Sequence, residues 1–196
     1  MGSGASSDGK GGGGGAGPQS MAAPAQDDKT PPTTDNRLPF AQYRELFTLR
    51  NYWKTVQRNK DNCGKQMLLK FLKDNPEFHQ KYPALKDMNV DDERILSNSE
   101  FEGLAANYLA IFDDVITEVE SNPGNVDAAV AKLIGVGKKH KRVNGVNSGS
   151  FQGLEEPFLH MVREVLQDRF NDKCETLFRK FFQFCLKYIV QGYNEA

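Results

Sequence analysis

The chain is predicted to be an all-α domain behind a polar N-terminal tail, and three features of the sequence predict it. From Pro39 to the C-terminus, apolar residues recur every three or four positions, the period of a helix face. No segment shows the alternation expected of a half-buried strand. Asn75-Pro76 and Asn122-Pro123-Gly124 divide the pattern into pieces of helical length, because proline excludes the residue before it from helical geometry.

Residues 1–37 are assigned to the tail and residues 38–196 to the domain. Gly and Ser dominate residues 1–20, and Ala, Pro, Thr and Asp dominate residues 21–37. Such composition buries too little apolar surface to offset chain entropy. Met1-Gly2-Ser3-Gly4-Ala5-Ser6 matches the pattern for N-myristoylation at Gly2, a match that Gly/Ser-rich tails also produce by chance. One acyl chain binds a membrane only marginally, and neither a tail cysteine nor a basic cluster around Lys10 and Lys29 offers a second anchor. The expectation is a cytoplasmic protein that touches the inner face of a membrane reversibly when Gly2 is acylated.

Composition excludes several classes. Net charge is −1 with acids and bases interspersed, so nucleic acid is not an expected partner. No apolar run approaches the roughly 20 residues of a membrane span, and the N-terminus lacks the apolar stretch of a secretory signal. Cys63, Cys174 and Cys185 are odd in number and form no C-x-x-C pair, which indicates neither a disulfide framework nor a zinc site. All three are read as small buried hydrophobes, with Cys63 the one expected to be partly exposed.

The first helix opens after Pro39 and carries Phe40, Tyr43, Phe47, Tyr52, Trp53 and Val56. Residues 59–64 read as a turn. The second helix carries Met67, Leu68, Phe71 and Leu72, and an irregular stretch with Phe78, Tyr82 and Leu85 follows Pro76. Ser97-x-x-Glu100 reads as a capping box before the clearest helix, whose apolar face runs from Phe101 to Val119. The next helix starts near Asn125 and frays at Asn144-Gly145. Another runs from Phe151 to near Phe170, and Asp172-x-x-Glu175 is expected to cap the last, which carries Leu177 to Tyr193.

The fourth of these long helices holds the chemistry. Leu133, Val136 and His140 share one face, while Lys138, Lys139 and Lys141 point outward. An imidazole on an apolar face is either hydrogen-bonded in the core or a metal ligand, and the local pattern leaves both open. His79 and His160 are read as structural.

Four spacings extend the picture. Trp53 precedes Gly64 by eleven residues, and Pro76 precedes Tyr82 by six. Phe101-x-x-Leu104 lies on the long helix, and Leu133-x-x-Val136-x-x-x-His140 is followed by Val146 and Phe151. Jointly, residues 39–195 resemble the globin family. The resemblance implies a three-over-three helical sandwich holding haem b, with His140 as the proximal iron ligand. It implies haem contacts from Leu68, Tyr82, Leu85, Leu104, Tyr108, Leu133, Val136, Val146 and Phe151. The implied function is binding of a diatomic gas such as oxygen, redox signalling or electron transfer with a partner protein, and not enzymatic turnover.

The sequence departs from the family at Leu104, where globins usually carry a distal histidine. No histidine lies within residues 80–139, so ligation by two histidines in the usual manner is excluded. Leucine donates no hydrogen bond to a bound ligand, and only the hydroxyls of Tyr82 or Tyr108 could substitute. An apolar distal side favours sensing or redox chemistry over oxygen storage. The rival expectation is a haem-free helical sensor or adaptor that keeps globin packing, with His140 an ordinary core residue.

Overall fold

The computed structural model describes residues 31–196; the Gly2 motif and most of the predicted tail lie outside the described residues. Seven α-helices follow in order: α1 (Tyr43–Arg58), α2 (Lys60–Asp74), α3 (Pro76–His79), α4 (Ser99–Ser121), α5 (Asp127–His140), α6 (Glu155–Leu166) and α7 (Asp172–Asn194). Short 3-10 segments cover Glu93–Ser97, Ser148–Leu154 and Gln167–Arg169. No strand occurs among the described residues. Helices α1, α4 and α5 stack over α2, α6 and α7, with α5 seated on α7, α2 on α4 and α1 on α6.

Burial explains which faces turn inward. Helix α1 buries Leu46, Leu49, Trp53 and Val56, a stripe at steps of three and four. Phe47 falls beside that stripe and is 50% exposed, which corrects its placement in the core. Trp53 anchors the helix: its Nε1–H donates to Asp113 Oδ1 at 2.7 Å, and its indole stacks on Phe158 with centroids 6.2 Å apart. Phe112, Phe158, Phe178, Phe181 and Phe182 fill the centre in stacked, tilted and edge-on pairs.

Two helix crossings depend on glycine. A Cβ on Gly64 would sit 2.8 Å from the Ala105 carbonyl oxygen, so the α2–α4 approach needs a hydrogen there. The α5–α7 crossing is tighter. A Cβ on Gly137 would lie 2.0 Å from the Ile189 carbonyl oxygen, and one on Gly192 would lie 2.1 Å from that of Ile134. These two glycines let α5 lie backbone to backbone on α7, which sets the position of His140 three residues beyond.

Several local expectations are corrected. Residues 59–64 are not a turn: Asn59 alone separates α1 from α2, and Gly64 lies within α2. The α4 cap is Asn98, whose side chain accepts from the N–H groups of Glu100 and Phe101, and not Ser97. Asn171 caps α7 by accepting from Cys174 N–H, one residue before the expected Asp172. In both places the cap needs extended backbone just before the first helical turn, and the asparagine occupies it. The helix expected from Phe151 is 3-10 until Leu154. The compact unit takes in residues from Pro31 onward. Asp35 accounts for this, since its N–H donates to the Pro123 carbonyl and its carboxylate accepts from Arg37 and from Val126 N–H.

Cys63 is buried like Cys174 and Cys185, which overturns its expected exposure. Burial pushes the Cys63 thiol up to about 11, away from the thiolate that redox chemistry needs.

Candidate functional site

A cavity of about 400 Å³ lies between α4 and α5, within the range of small-molecule sites. Helix α4 lines it with Leu104, Asn107, Tyr108 and Ile111, successive members of one helical stripe. Helix α5 supplies Val136 and His140, four residues apart on the facing side. Tyr82 and Lys81 come from the turn after α3, and Val143, Val146 and Phe151 from the connection beyond α5. Phe71 and Ile189 close it from α2 and α7.

The His140 ring is held in a defined state. Its Nδ1 lies 2.9 Å from the Val136 carbonyl oxygen. A carbonyl only accepts, so Nδ1 is the donor, and in the neutral ring the lone pair therefore sits on Nε2. Phe151 meets the imidazole edge-on at 5.4 Å and fixes its rotation. Nε2 has no hydrogen-bond partner among the described residues, and it is the one nitrogen in the cavity lining able to bind a metal. Among the described residues no group of three or more His, Cys, Asp and Glu could hold a metal ion, so any metal here would rely on His140.

Opposite the apolar lining, the hydroxyls of Tyr82 and Tyr108 hydrogen-bond to each other. Burial raises both phenols above the usual tyrosine range, and the neighbouring Tyr82 raises Tyr108 further. Both are therefore neutral at pH 7, and a pair of neutral hydroxyls uses one hydrogen between them. The second hydrogen is left to point at whatever occupies the cavity.

A wider groove of about 710 Å³ runs along α7, but most of its charges are paired. Arg179 pairs with Glu155, Glu156 and Glu175, Lys180 with Glu45, and Arg37 with Asp35 and Asp127. It lacks the unpartnered ligand atom that marks the His140 cavity.

The Globin family model matches residues 65–189, which spans α2 to most of α7. The chain belongs to the globin family. Among solved structures this globin is similar to a hexacoordinated haem protein from an anhydrobiotic tardigrade, with 27% identity and a TM-score of 0.75 over 82% of this chain and 99% of that one. It also shares its fold with a hemoglobin from the botfly Gasterophilus intestinalis, at 18% identity and a TM-score of 0.67, over 77% of this chain and 97% of the other. Comparison with curated protein sequences finds no match.

Of the ten haem contacts expected of this globin, the structure brings seven to the cavity: Tyr82, Leu104, Tyr108, Val136, His140, Val146 and Phe151. Leu68, Leu85 and Leu133 do not line it. Leu68 and Leu85 are packed beneath the wall in a second apolar cluster with Phe101 and Ala105. Leu133 shares the face of His140 but lies two turns, about 10 Å, down the helix axis in the main core. Continuing the α4 stripe from Leu104 by three and seven would have found Asn107 and Ile111. Ile189 carried no such signal, because only the fold brings α7 there. His79 is buried and its Nε2–H donates to the Leu85 carbonyl at 2.7 Å, a structural role, and neither it nor His160 lines the cavity.

Proposed function

We propose that this globin binds haem b through His140 and holds a diatomic ligand beside the Tyr82–Tyr108 pair. The observation that carries the proposal is the imidazole whose Nδ1–H is committed to the Val136 carbonyl and whose Nε2 is unpartnered in an apolar cavity. Such a backbone bond raises the basicity of the ligating nitrogen and fixes its aim. The fit is supported by the lining, where Leu104, Ile111, Val136 and Phe151 suit a large flat hydrophobe. When bound, the cofactor would supply an iron centre able to bind a diatomic ligand and to exchange one electron. The protein residues do the rest. His140 holds the iron, the apolar wall excludes water, and a tyrosine hydroxyl donates to the polarised end of the ligand.

The tardigrade relative is described as hexacoordinated. Here no second histidine reaches the cavity, so His140 would be the one histidine to hold the iron. The tyrosine donors remove the reason for denying it stable ligand binding, and ligand binding and redox exchange both remain part of the proposal, without enzymatic turnover. The tail reading stands as a proposal too: mass spectrometry of the native N-terminus should find a myristoyl group on Gly2, and a free Gly2 or a retained Met1 would end it.

Absorption spectroscopy tests the cofactor claim. The full-length protein reconstituted with haem should show a Soret band, and His140→Ala should lose most of it with the helical circular dichroism unchanged. A wild-type protein that takes up no haem would leave the haem-free scaffold as the answer.

A further inference from the structure

We propose that the cationic surface at the end of α5, Lys138, Lys139, Lys141 and Arg142 with the exposed Val143 next in sequence, docks an acidic one-electron donor protein. The four cations flank His140 in sequence, and all are exposed. The end of α5 explains two of them, since cations in a last turn meet the partial negative charge of its free carbonyls. It does not explain Lys141 and Arg142, which lie beyond the helix.

Their charge is mostly uncommitted. Among the described residues only Lys138 meets a carboxylate, Glu195, at 3.8 Å, and both side chains are about half exposed. Lys141 Nζ sits 4.5 Å over the Tyr193 ring instead. Val143, 48% exposed, is one of two large apolar side chains so exposed among the described residues, and it also lines the cavity. Exposed cations beside an exposed apolar side chain suit a transient docking surface. The whole chain carries a net charge of −1, so no global field draws in an anionic partner and the local patch must do so.

The patch also connects inward. Lys141 covers Tyr193, Tyr193 meets Phe151 edge-on at 5.7 Å, and Phe151 meets His140 at 5.4 Å. A packed path of rings thus joins the cationic surface to His140, the residue that would hold the iron, which favours a redox protein over a lipid surface as the occupant. With haem held by His140, the iron would supply the acceptor for one electron given up by the partner's reduced centre, with no bond or proton exchanged. The electron step rests on the haem proposal; the docking does not.

Two probes of the haem-loaded full chain test it, with the Soret band confirming loading. A fluorescein-labelled deca-glutamate peptide, followed by anisotropy, should bind at low ionic strength and release as salt rises. Ferrous EDTA, an anionic reductant, should reduce the ferric protein faster at low salt, whereas cationic hexaammineruthenium(II) should show the opposite trend. Replacing the four cations by Gln should weaken the peptide and slow ferrous EDTA by about tenfold, with the Soret band intact. The double variant Lys141→Gln/Arg142→Gln, outside α5, should give a smaller loss in the same direction. Peptide binding and ferrous EDTA rates unchanged in both variants would overturn the proposal. So would phosphatidylserine vesicles binding through these cations while the peptide does not. Loss of the Soret band in the wild type would fail the haem proposal separately.

Discussion

His140 is controlled by its own helix: the carbonyl one turn back fixes the tautomer, and Phe151 fixes the ring angle. Tyr82 and Tyr108 work as a pair for a related reason. Each hydroxyl satisfies the other in a buried place, and one hydrogen remains for a guest. Removing one phenol frees the other to donate, so the effects of single changes are not additive. Tyr82→Phe and Tyr108→Phe should each speed ligand dissociation slightly, and the double variant by about tenfold, the equivalent of about 1.4 kcal/mol for a hydrogen bond to a partly charged acceptor. Flash photolysis of the carbonmonoxy and oxygen complexes measures this, and a double variant that behaves like wild type would show that the pair only fills space. Leu104 was legible as the residue facing the cavity from α4. The hydroxyl pair was not, because Tyr82 and Tyr108 are 26 residues apart and meet only when the turn after α3 folds over α4.

At the scale of elements, the helices were legible where one side of the pattern dominates. Helix α4 shows this best, its buried residues from Phe101 to Val119 keeping one rhythm. Helix α1 shows the limit: two overlapping apolar stripes compete in sequence, and the anchor Trp53 selects the one through Leu46 and Leu49. The Gly137–Gly192 crossing left no local signal, since each glycine is explained only by backbone on another helix. A pair of alanine substitutions separates contact from propensity. Gly137→Ala must push α5 off α7 and should cost about 2–3 kcal/mol, as overpacking does. Gly103→Ala, on exposed α4 surface with nothing within 4 Å of the added carbon, should stabilise by roughly 0.5–1 kcal/mol. Urea unfolding reads both from the shift in midpoint. Equal effects of the two would show that the crossing is not tight.

At the scale of the molecule, the described fold joins an aromatic core to an apolar cavity lined by His140, and the end of α5 carries four exposed cations. No helix among the described residues is long and apolar enough to cross a membrane. Stability should carry the signature of the buried phenols. Their acidity is suppressed in the folded state, so the unfolded chain loses protons first. Stability is therefore constant below about pH 10 from this source and falls as pH rises above it. Thermal unfolding of the apo protein should show that alkaline loss, and Tyr82→Phe/Tyr108→Phe should lessen it. An identical alkaline profile in the double variant would place the titration elsewhere.

The central claim, that Nε2 of His140 holds the iron, is tested most directly by resonance Raman spectroscopy of the ferrous, ligand-free protein. With haem loaded into protein carrying ¹⁵N-labelled histidine, the iron–imidazole stretch should shift relative to unlabelled protein. The shift should persist in His79→Gln and His160→Gln, and it should vanish in labelled His140→Gly rescued with unlabelled imidazole. An isotope shift that survives the loss of His140 would contradict the account.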